Sequence, residues 1–208
     1  MSATTKYDWL QFAYDQAKSA NATLETTVNL GNVKNLKKLF STQMTDVPDG
    51  SPVALTDVGG RDLVFIQGEH GHLQAYDAHS GTKVWDHDLG PGSNANSTPA
   101  IDPNRQFIYA NGNDGYAHKI NVADGTEVTG NGWPELTGPG KTSPALTLAT
   151  VDGTSYLYAS NSGHGHITTI NLTTGTQHVF SLACANRPDI HFGAPGQPDD
   201  CTVKGPNP

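Results

Sequence analysis

The histidines are the side chains whose type and spacing could do chemistry in this chain. His70 and His72 are separated by one glycine, and His164 and His166 repeat the same His-Gly-His sequence. Residues two apart on a strand share a face, so such a pair can hold one Zn²⁺ or Cu²⁺ ion. Without a carboxylate partner, the pairs are equally compatible with exposed turn residues beside a glycine. We favour the turn interpretation and keep the metal site as the alternative.

The two cysteines of the chain suggest a second chemical feature. Cys184 and Cys201 flank a loop rich in proline, glycine and aspartate. A disulfide between them would close this loop and stabilise the fold by about 3 kcal/mol on the chain-entropy account. The alternative is two unrelated thiols. We predict the disulfide, which implies an oxidising compartment and therefore a secreted, periplasmic or extracellular protein.

Composition and charge exclude several function classes. The net charge of the 208 residues is -8, and no face of clustered lysine and arginine is evident, which argues against nucleic-acid binding. No apolar stretch approaches the roughly 20 residues that a membrane span needs. The segment "GPGKTS" at 138–143 lacks the spacing of a phosphate-binding loop, and no Ser–His–Asp set is defensible. The 23 glycines and 13 prolines are typical of a turn-rich β protein.

The elements that must position these residues are repeated along the chain. The stretch "QGEHGHLQAYDAHSGTKV" at 67–84 aligns without gaps to 111–128 and again to 161–178. The glycines that coincide in the three copies are Gly71, Gly115 and Gly165, followed by Gly81, Gly125 and Gly175. Each copy follows two short apolar runs separated by turn residues. Each repeat therefore predicts four antiparallel strands, which we call A to D in chain order.

Four short strands recurring every 44 to 50 residues predict the blades of a β-propeller. Three all-β blades are expected to begin near Ser51, Ser97 and Ser143. Residues 1–50 are predicted to be an N-terminal segment whose stretch 32–44 forms an outer strand of the last blade of a closed ring. Residues 51–208 are predicted to contain the three blades and the loop between the cysteines, as a single and incomplete propeller domain.

The segment "AYDAHSGTKVW" at 75–85 resembles the tryptophan-docking repeat of pyrroloquinoline-quinone (PQQ) type propellers. The motif positions are Ala75, Asp77, Gly81 and Trp85. The resemblance implies that Trp85 packs between neighbouring blades, while Asp77 and Gly81 shape the turn between strands C and D. In the ungapped alignment the tryptophan position holds Thr129 in blade two and Val179 in blade three.

The resemblance also implies that the ring is larger than this chain. Propellers of this family close with about eight blades, whereas three blades and an outer strand are predicted here. We therefore expect the chain to be the N-terminal portion of a larger ring. The remaining blades would come from the same protein or from another chain.

Two functions follow from the resemblance. Catalytic members of the family hold the quinone on the propeller axis with Ca²⁺, which is bound by acidic and amide groups, and many have two adjacent cysteines. Cys184 and Cys201 are not adjacent, and no calcium ligand set can be matched, so catalytic and cofactor-binding residues are left unassigned. PQQ and calcium are expected only if the whole protein is a quinoprotein.

The favoured interpretation is a secreted PQQ-like propeller that acts as a binding or scaffold module through loops on one face. Its partners would be a small molecule, a glycan or a protein. The alternative is the N-terminal part of a PQQ-dependent oxidoreductase of alcohols, sugars or polymeric alcohols. Any metal or polar ligand is predicted to lie on the face carrying His70, His72, Asp114, His164 and His166, because ligand sites favour loops on a rigid scaffold.

Overall fold

A computed structural model describes residues 7–92, 97–137, 145–161 and 166–181. The described strands form three four-stranded antiparallel sheets. The first sheet contains β1 (Val53–Val58), β2 (Arg61–Gln67), β3 (His72–Asp77) and β4 (Lys83–Asp88). The second contains β5 (Ala100–Ile101), β6 (Phe107–Asn111), β7 (Tyr116–Asn121) and β8 (Glu135–Leu136). The third contains β9 (Thr147–Val151), β10 (Thr154–Asn161), β11 (His166–Asn171) and β12 (Gln177–Ser181).

Within each sheet the strands pair in the order in which they follow one another along the chain. Such a meander is one blade, so the fold is all-β and the three sheets are consecutive blades of a β-propeller. The predicted fold class is confirmed. The first strands begin at Val53, Ala100 and Thr147, within a few residues of the predicted blade starts.

The turns explain why the glycines recur. Gly71 ends the turn between β2 and β3 with a φ of +97°, a backbone conformation that side chains with a Cβ rarely adopt. In the next turn of the same blade, Asp77 Oδ1 accepts hydrogen bonds from the backbone N–H groups of His79 and Ser80. This local bonding holds the turn between strands C and D, which is the role that the resemblance assigns to Asp77.

The core lies between the blades rather than within one of them. Successive side chains on a strand point to opposite faces, so each middle strand can serve two neighbours. On β6, Ile108 and Ala110 belong to the apolar cluster shared with blade one, whereas Tyr109 belongs to the cluster shared with blade three. The alternation within a single strand therefore fixes the order in which the blades stack.

Residues Trp9–Gln11 form an N-terminal clasp across the first strands of all three blades. The backbone of Trp9 exchanges two hydrogen bonds of 2.9 Å with Ala54 of β1. The backbone N–H of Ile101 in β5 donates to the carbonyl of Leu10 at 2.7 Å. The side-chain amide of Gln11 bonds both the N–H and the carbonyl of Leu148 in β9. The clasp thus hydrogen-bonds to the first strands of all three sheets, through the backbone of Trp9 and Leu10 and through the side chain of Gln11.

The rest of the N-terminal segment has little regular structure among the described residues. It contains a 3₁₀ helix, Val33–Asn35, and an isolated bridge between Pro48 and Gly68. The outer strand expected at 32–44 stays a prediction, although Phe40 from this stretch lies against Gly81 of blade one. Among the described residues no helix has the length and apolar character needed to cross a membrane.

Candidate functional site

The top face of the propeller is the face that carries the turns between strands B and C and the connections between blades. His70 lies here in the turn before β3, and its partner is Asp46 of the N-terminal segment. The backbone N–H of His70 donates to Asp46 Oδ2 at 2.5 Å, and Nδ1 lies 2.6 Å from Oδ1. Hydrogen bonding to Asp46 raises the pKa of His70. Burial works against ionisation of Asp46, but the bonds from His70 outweigh it and lower the pKa of this carboxyl.

His72 is the first residue of β3 and has a different carboxylate partner. Its Nδ1 lies 2.8 Å from Asp86 Oδ1 in β4. The second oxygen, Asp86 Oδ2, accepts hydrogen bonds from Thr45, Gln74 and Lys83 at 2.7 to 2.8 Å. Burial opposes ionisation of Asp86, but these bonds outweigh it and lower the pKa of Asp86 to about 2.

The geometry changes the argument about metal binding in two ways. His70 is a turn residue and only His72 is on the strand, so the shared-face argument for strand residues does not apply to the pair. On the other hand, both histidines have the carboxylate partner that the sequence did not reveal. Bonding through Nδ1 orients each ring and leaves Nε2 as the nitrogen that could bind a ligand.

The other predicted metal ligands lie largely beyond the described part of the chain. His164 falls outside the described residues, as do Cys184 and Cys201. His166 opens β11 opposite Asn161, and only its backbone is described. Among the described residues no group of three or more histidine, cysteine, aspartate or glutamate side chains could hold a metal ion. The metal site and the disulfide therefore remain predictions.

Blades one and two meet at a histidine–carboxylate network that the sequence did not predict, although Asp114 was placed on this face. His118 on β7 has Glu127 Oε1 2.6 Å from Nδ1 and Asp114 Oδ1 3.4 Å from Nε2. From blade one, His87 Nε2 lies 3.5 Å from Glu127 Oε2. Burial alone would lower the pKa of His118, but its bonds to the two carboxylates outweigh it and raise that pKa. The two carboxylates therefore favour the protonated form of the buried His118.

Trp85 packs between blades, as the resemblance implies. It is 8% exposed, its ring centroid lies 5.7 Å from that of Phe65, and its Nε1 donates to the carbonyl of Val122 at 3.0 Å. Its ring lies over Gly125, which has no side chain to obstruct it. Blade one therefore bonds its outer strand to the C–D turn of blade two.

Strand register corrects the assignment of Thr129 to the tryptophan position of blade two. His87 pairs with Leu73 in blade one, and Glu135 pairs with Ala117 in blade two. Leu73 and Ala117 are 44 positions apart, whereas His87 and Glu135 are 48 apart, so blade two has four extra residues before its outer strand.

The equivalent of Trp85 in blade two is therefore Trp133. Its ring lies 5.2 Å from Tyr109, as the ring of Trp85 lies against Phe65. Trp133 is buried in the cluster between blades two and three. An alignment with a four-residue gap after Val128 would have found it, because the ungapped comparison stops short of the insertion.

Comparison with solved structures agrees with this architecture. No protein-family model matches the sequence, and no curated protein matches it. A quinohemoprotein alcohol dehydrogenase from Comamonas testosteroni is similar with a TM-score of 0.61 and 20% identity, over 82% of this chain and 26% of that one. A europium-containing methanol dehydrogenase has a TM-score of 0.60 and 14% identity, over 82% of this chain and 31% of that one.

A quinohemoprotein alcohol dehydrogenase from Pseudomonas putida HK5 is similar to the same degree, with a TM-score of 0.61, 16% identity and 26% of its length covered. At these identities the similarity shows the fold, a β-propeller. The chain spans between a quarter and a third of the length of these dehydrogenases.

Among the residues that the structure describes, no group of three or more acidic, histidine or cysteine side chains offers a ligand set for calcium. The buried amide of Gln67 on the inner top face donates to the carbonyl of Asn111, and Asn111 donates to Ser97. The top-face carboxylates Asp46 and Asp86 are held by histidine and lysine partners. Calcium takes six to eight oxygen ligands, so its ligands stay unassigned in this chain.

Proposed function

We propose that this chain belongs to a secreted PQQ-like β-propeller that works as a binding module through its top-face loops. The observation that carries the proposal is the pairing of His70 with Asp46 and of His72 with Asp86. The sheet positions the turn that carries His70 and the start of β3 that carries His72, and each carboxylate fixes the Nδ1 side of one imidazole. Two oriented Nε2 atoms at one blade favour a ligand that is coordinated by imidazole nitrogen, and we take Zn²⁺ or Cu²⁺ as the probe.

Calorimetric titration of Zn²⁺ into the protein tests the proposal. We expect saturable binding that is lost in the His70→Ala/His72→Ala double variant. The matched control is His79→Ala, because His79 is also paired with an aspartate, at 3.0 Å, but lies in the C–D turn on the opposite face. Equal heats from the wild type and both variants would show that the top-face histidines are ordinary turn residues.

The similar dehydrogenase structures favour a second candidate function. In this alternative the chain is the N-terminal part of a PQQ-dependent oxidoreductase of alcohols, sugars or polymeric alcohols, and PQQ and calcium ligands lie in further blades. The full-length gene product, loaded with PQQ and Ca²⁺, would then reduce an electron-accepting dye in the presence of an alcohol. Absence of this activity in the loaded full-length protein would reject the alternative and leave the binding module.

A further inference from the structure

The junctions between blades are filled in different ways. In every blade a side chain or backbone group from the preceding part of the chain packs against a glycine in the C–D turn. A methyl group on Gly81 would lie 2.5 Å from the ring of Phe40, and one on Gly125 would lie 2.7 Å from the ring of Trp85. At Gly175 of blade three, no aromatic ring from the described part of the chain lies within 4 Å of the equivalent position. We call the aromatic ring that covers the glycine of the C–D turn the aromatic plug. At Gly175 oxygen atoms take its place.

The four extra residues of blade two explain this replacement. The insertion lets Trp133 keep its place in the core, while Asn131 and Glu135 reach the glycine turn of blade three. A methyl group on Gly175 would lie 3.0 Å from Glu135 Oε1 and 3.1 Å from the backbone carbonyl oxygen of Asn131. Both atoms accept hydrogen bonds, so two acceptors converge on a position that is apolar at the other junctions.

Glu135 is the unusual side chain at this position. It is only 6% exposed, and Oε2 accepts a hydrogen bond from Gln177 of blade three. Its second oxygen, Oε1, is buried and has no hydrogen-bond partner. An unpaired buried acceptor is destabilising, so the arrangement calls for a donor that the described residues do not supply.

Both glycines that Glu135 Oε1 approaches, Gly132 and Gly175, line an open groove between blades two and three with a volume of about 560 Å³. We call it the junction groove. The remaining residues that line it are Tyr116, Asn131, Pro134, Glu135, Leu136, Thr174 and Gln177. It combines apolar surface from a tyrosine, a proline and a leucine with hydroxyl, amide and carboxyl groups. This mixture is typical of small-molecule sites, in which a few polar groups fix the orientation of the ligand.

The chemistry of the lining selects the class of ligand. A bare divalent cation would need several anionic or carbonyl oxygens, and the junction groove offers one carboxylate. A molecule with several hydroxyl groups can donate to Glu135 and to the carbonyl of Asn131 and can accept from the second N–H of the Gln177 amide. Its C–H faces would pack on Tyr116, Pro134 and Leu136.

We propose that the junction groove binds a polyhydroxylated small molecule, a sugar or polyol, with the carboxylate of Glu135 accepting a hydrogen bond from a ligand hydroxyl. This site is separate from the top-face histidines and does not depend on the proposed function. It occurs at the one described junction where an insertion has removed the aromatic plug.

Saturation-transfer NMR with D-glucose as the probe tests this inference. We expect binding to the wild type, at least tenfold weaker binding to Glu135→Ala, and intermediate binding to the milder Gln177→Ala variant. Far-UV circular dichroism establishes that each variant is folded. The His70→Ala/His72→Ala protein is the matched control and should bind glucose like the wild type.

Methylguanidinium serves as a cationic comparison probe. Equal glucose signals from the wild type and a folded Glu135→Ala protein would overturn the proposal. Binding of methylguanidinium without binding of glucose would overturn it too, because the groove would then be a cation site. Loss of Zn²⁺ binding in the histidine variant with retained glucose binding would reject neither site, so the two proposals fail independently.

Discussion

Two blade junctions can be compared, the first between blades one and two and the second between blades two and three. They share the same buried pair of aromatic rings and differ in the group that covers the C–D turn glycine. Both bury a tryptophan from the preceding blade against an aromatic residue on strand B, Trp85 on Phe65 and Trp133 on Tyr109. At the first junction the ring also covers the glycine turn of the next blade. At the second, Glu135 and the carbonyl of Asn131 take over that outer position.

The difference teaches that two parts of a blade junction can vary independently. One is the buried pair of aromatic rings, and the other is the group that covers the glycine of the C–D turn. Four additional residues leave the apolar cluster of the second junction intact and change only what reaches Gly175. Natural proteins place binding sites where local stability is sacrificed, and an unpaired buried acceptor is such a sacrifice. The first junction is therefore expected to be the stronger one.

The largest expected effect tests that strength at the first junction. Trp85→Ala removes a buried indole, its bond to Val122 and its cover over Gly125, and should lower the free energy of unfolding by about 3–5 kcal/mol. Urea unfolding followed by circular dichroism measures this loss. If Trp85→Ala does not fold, Trp85→Phe should still show a smaller loss of about 1–2 kcal/mol. A loss below 1 kcal/mol in the alanine variant would contradict the role of the ring.

Substitution of the turn glycines compares the two junctions directly. Gly125→Ala drives a methyl group into Trp85 and should cost about 3 kcal/mol, whereas Gly175→Ala meets oxygen atoms at 3.0 Å or more and should cost about 2 kcal/mol. Gly153→Ala is the matched control, because it has a similar φ of +77° with open space around it, and should cost about 1 kcal/mol. The same urea assay ranks the three, and equal losses would mean that backbone conformation alone sets the cost.

The ionic network gives the first junction a pH dependence. The folded pKa of His118 is raised above its usual 6.5, so its contribution is complete below pH 6.5 and is lost as the pH rises through the folded pKa. The pKa of Asp114 is lowered, so its contribution is lost only as the pH falls below 3.8 toward the folded value.

We therefore expect His118→Gln to lower the free energy of unfolding by about 2 kcal/mol near pH 6, with a smaller difference at higher pH. His79→Gln, at an exposed position, is the control and should lower the free energy of unfolding by less than His118→Gln does. A His118→Gln effect that is constant from pH 5 to pH 9 would show that the side chain contributes by packing alone.

The smallest expected effect has the opposite sign. Burial raises the pKa of Glu135 against the bond from Gln177, so ionisation of Glu135 reduces stability as the pH rises above 4.5 through the folded value. Glu135→Gln removes that penalty and should stabilise the protein by up to about 1 kcal/mol at neutral pH, with no gain near pH 4. Thermal unfolding at both pH values measures it. Destabilisation at neutral pH would mean that the charged form is the one the junction favours.

Sequence reasoning predicted what repeats and missed what departs from the repeat. The turn glycines, the strand order and the burial of Trp85 all followed from a pattern that recurs in register. Trp133 was missed because its insertion breaks that register. The partner of His70 was missed for another reason, since Asp46 comes from outside the repeat and the two bonded residues are 24 positions apart. A contact made in space between unlike segments has no periodic signature.

The N-terminal clasp has a consequence for the order in which this fold can form. The hydrogen bonds between Gln11 and Leu148 join residues separated by 137 positions. The N-terminal clasp therefore cannot form all of its bonds until the third blade has folded. Contacts of such large sequence separation slow folding, because the chain must lose loop entropy before they form. They also tie the first blade to the third. We therefore expect the three sheets to unfold together when the clasp is released, rather than one after another.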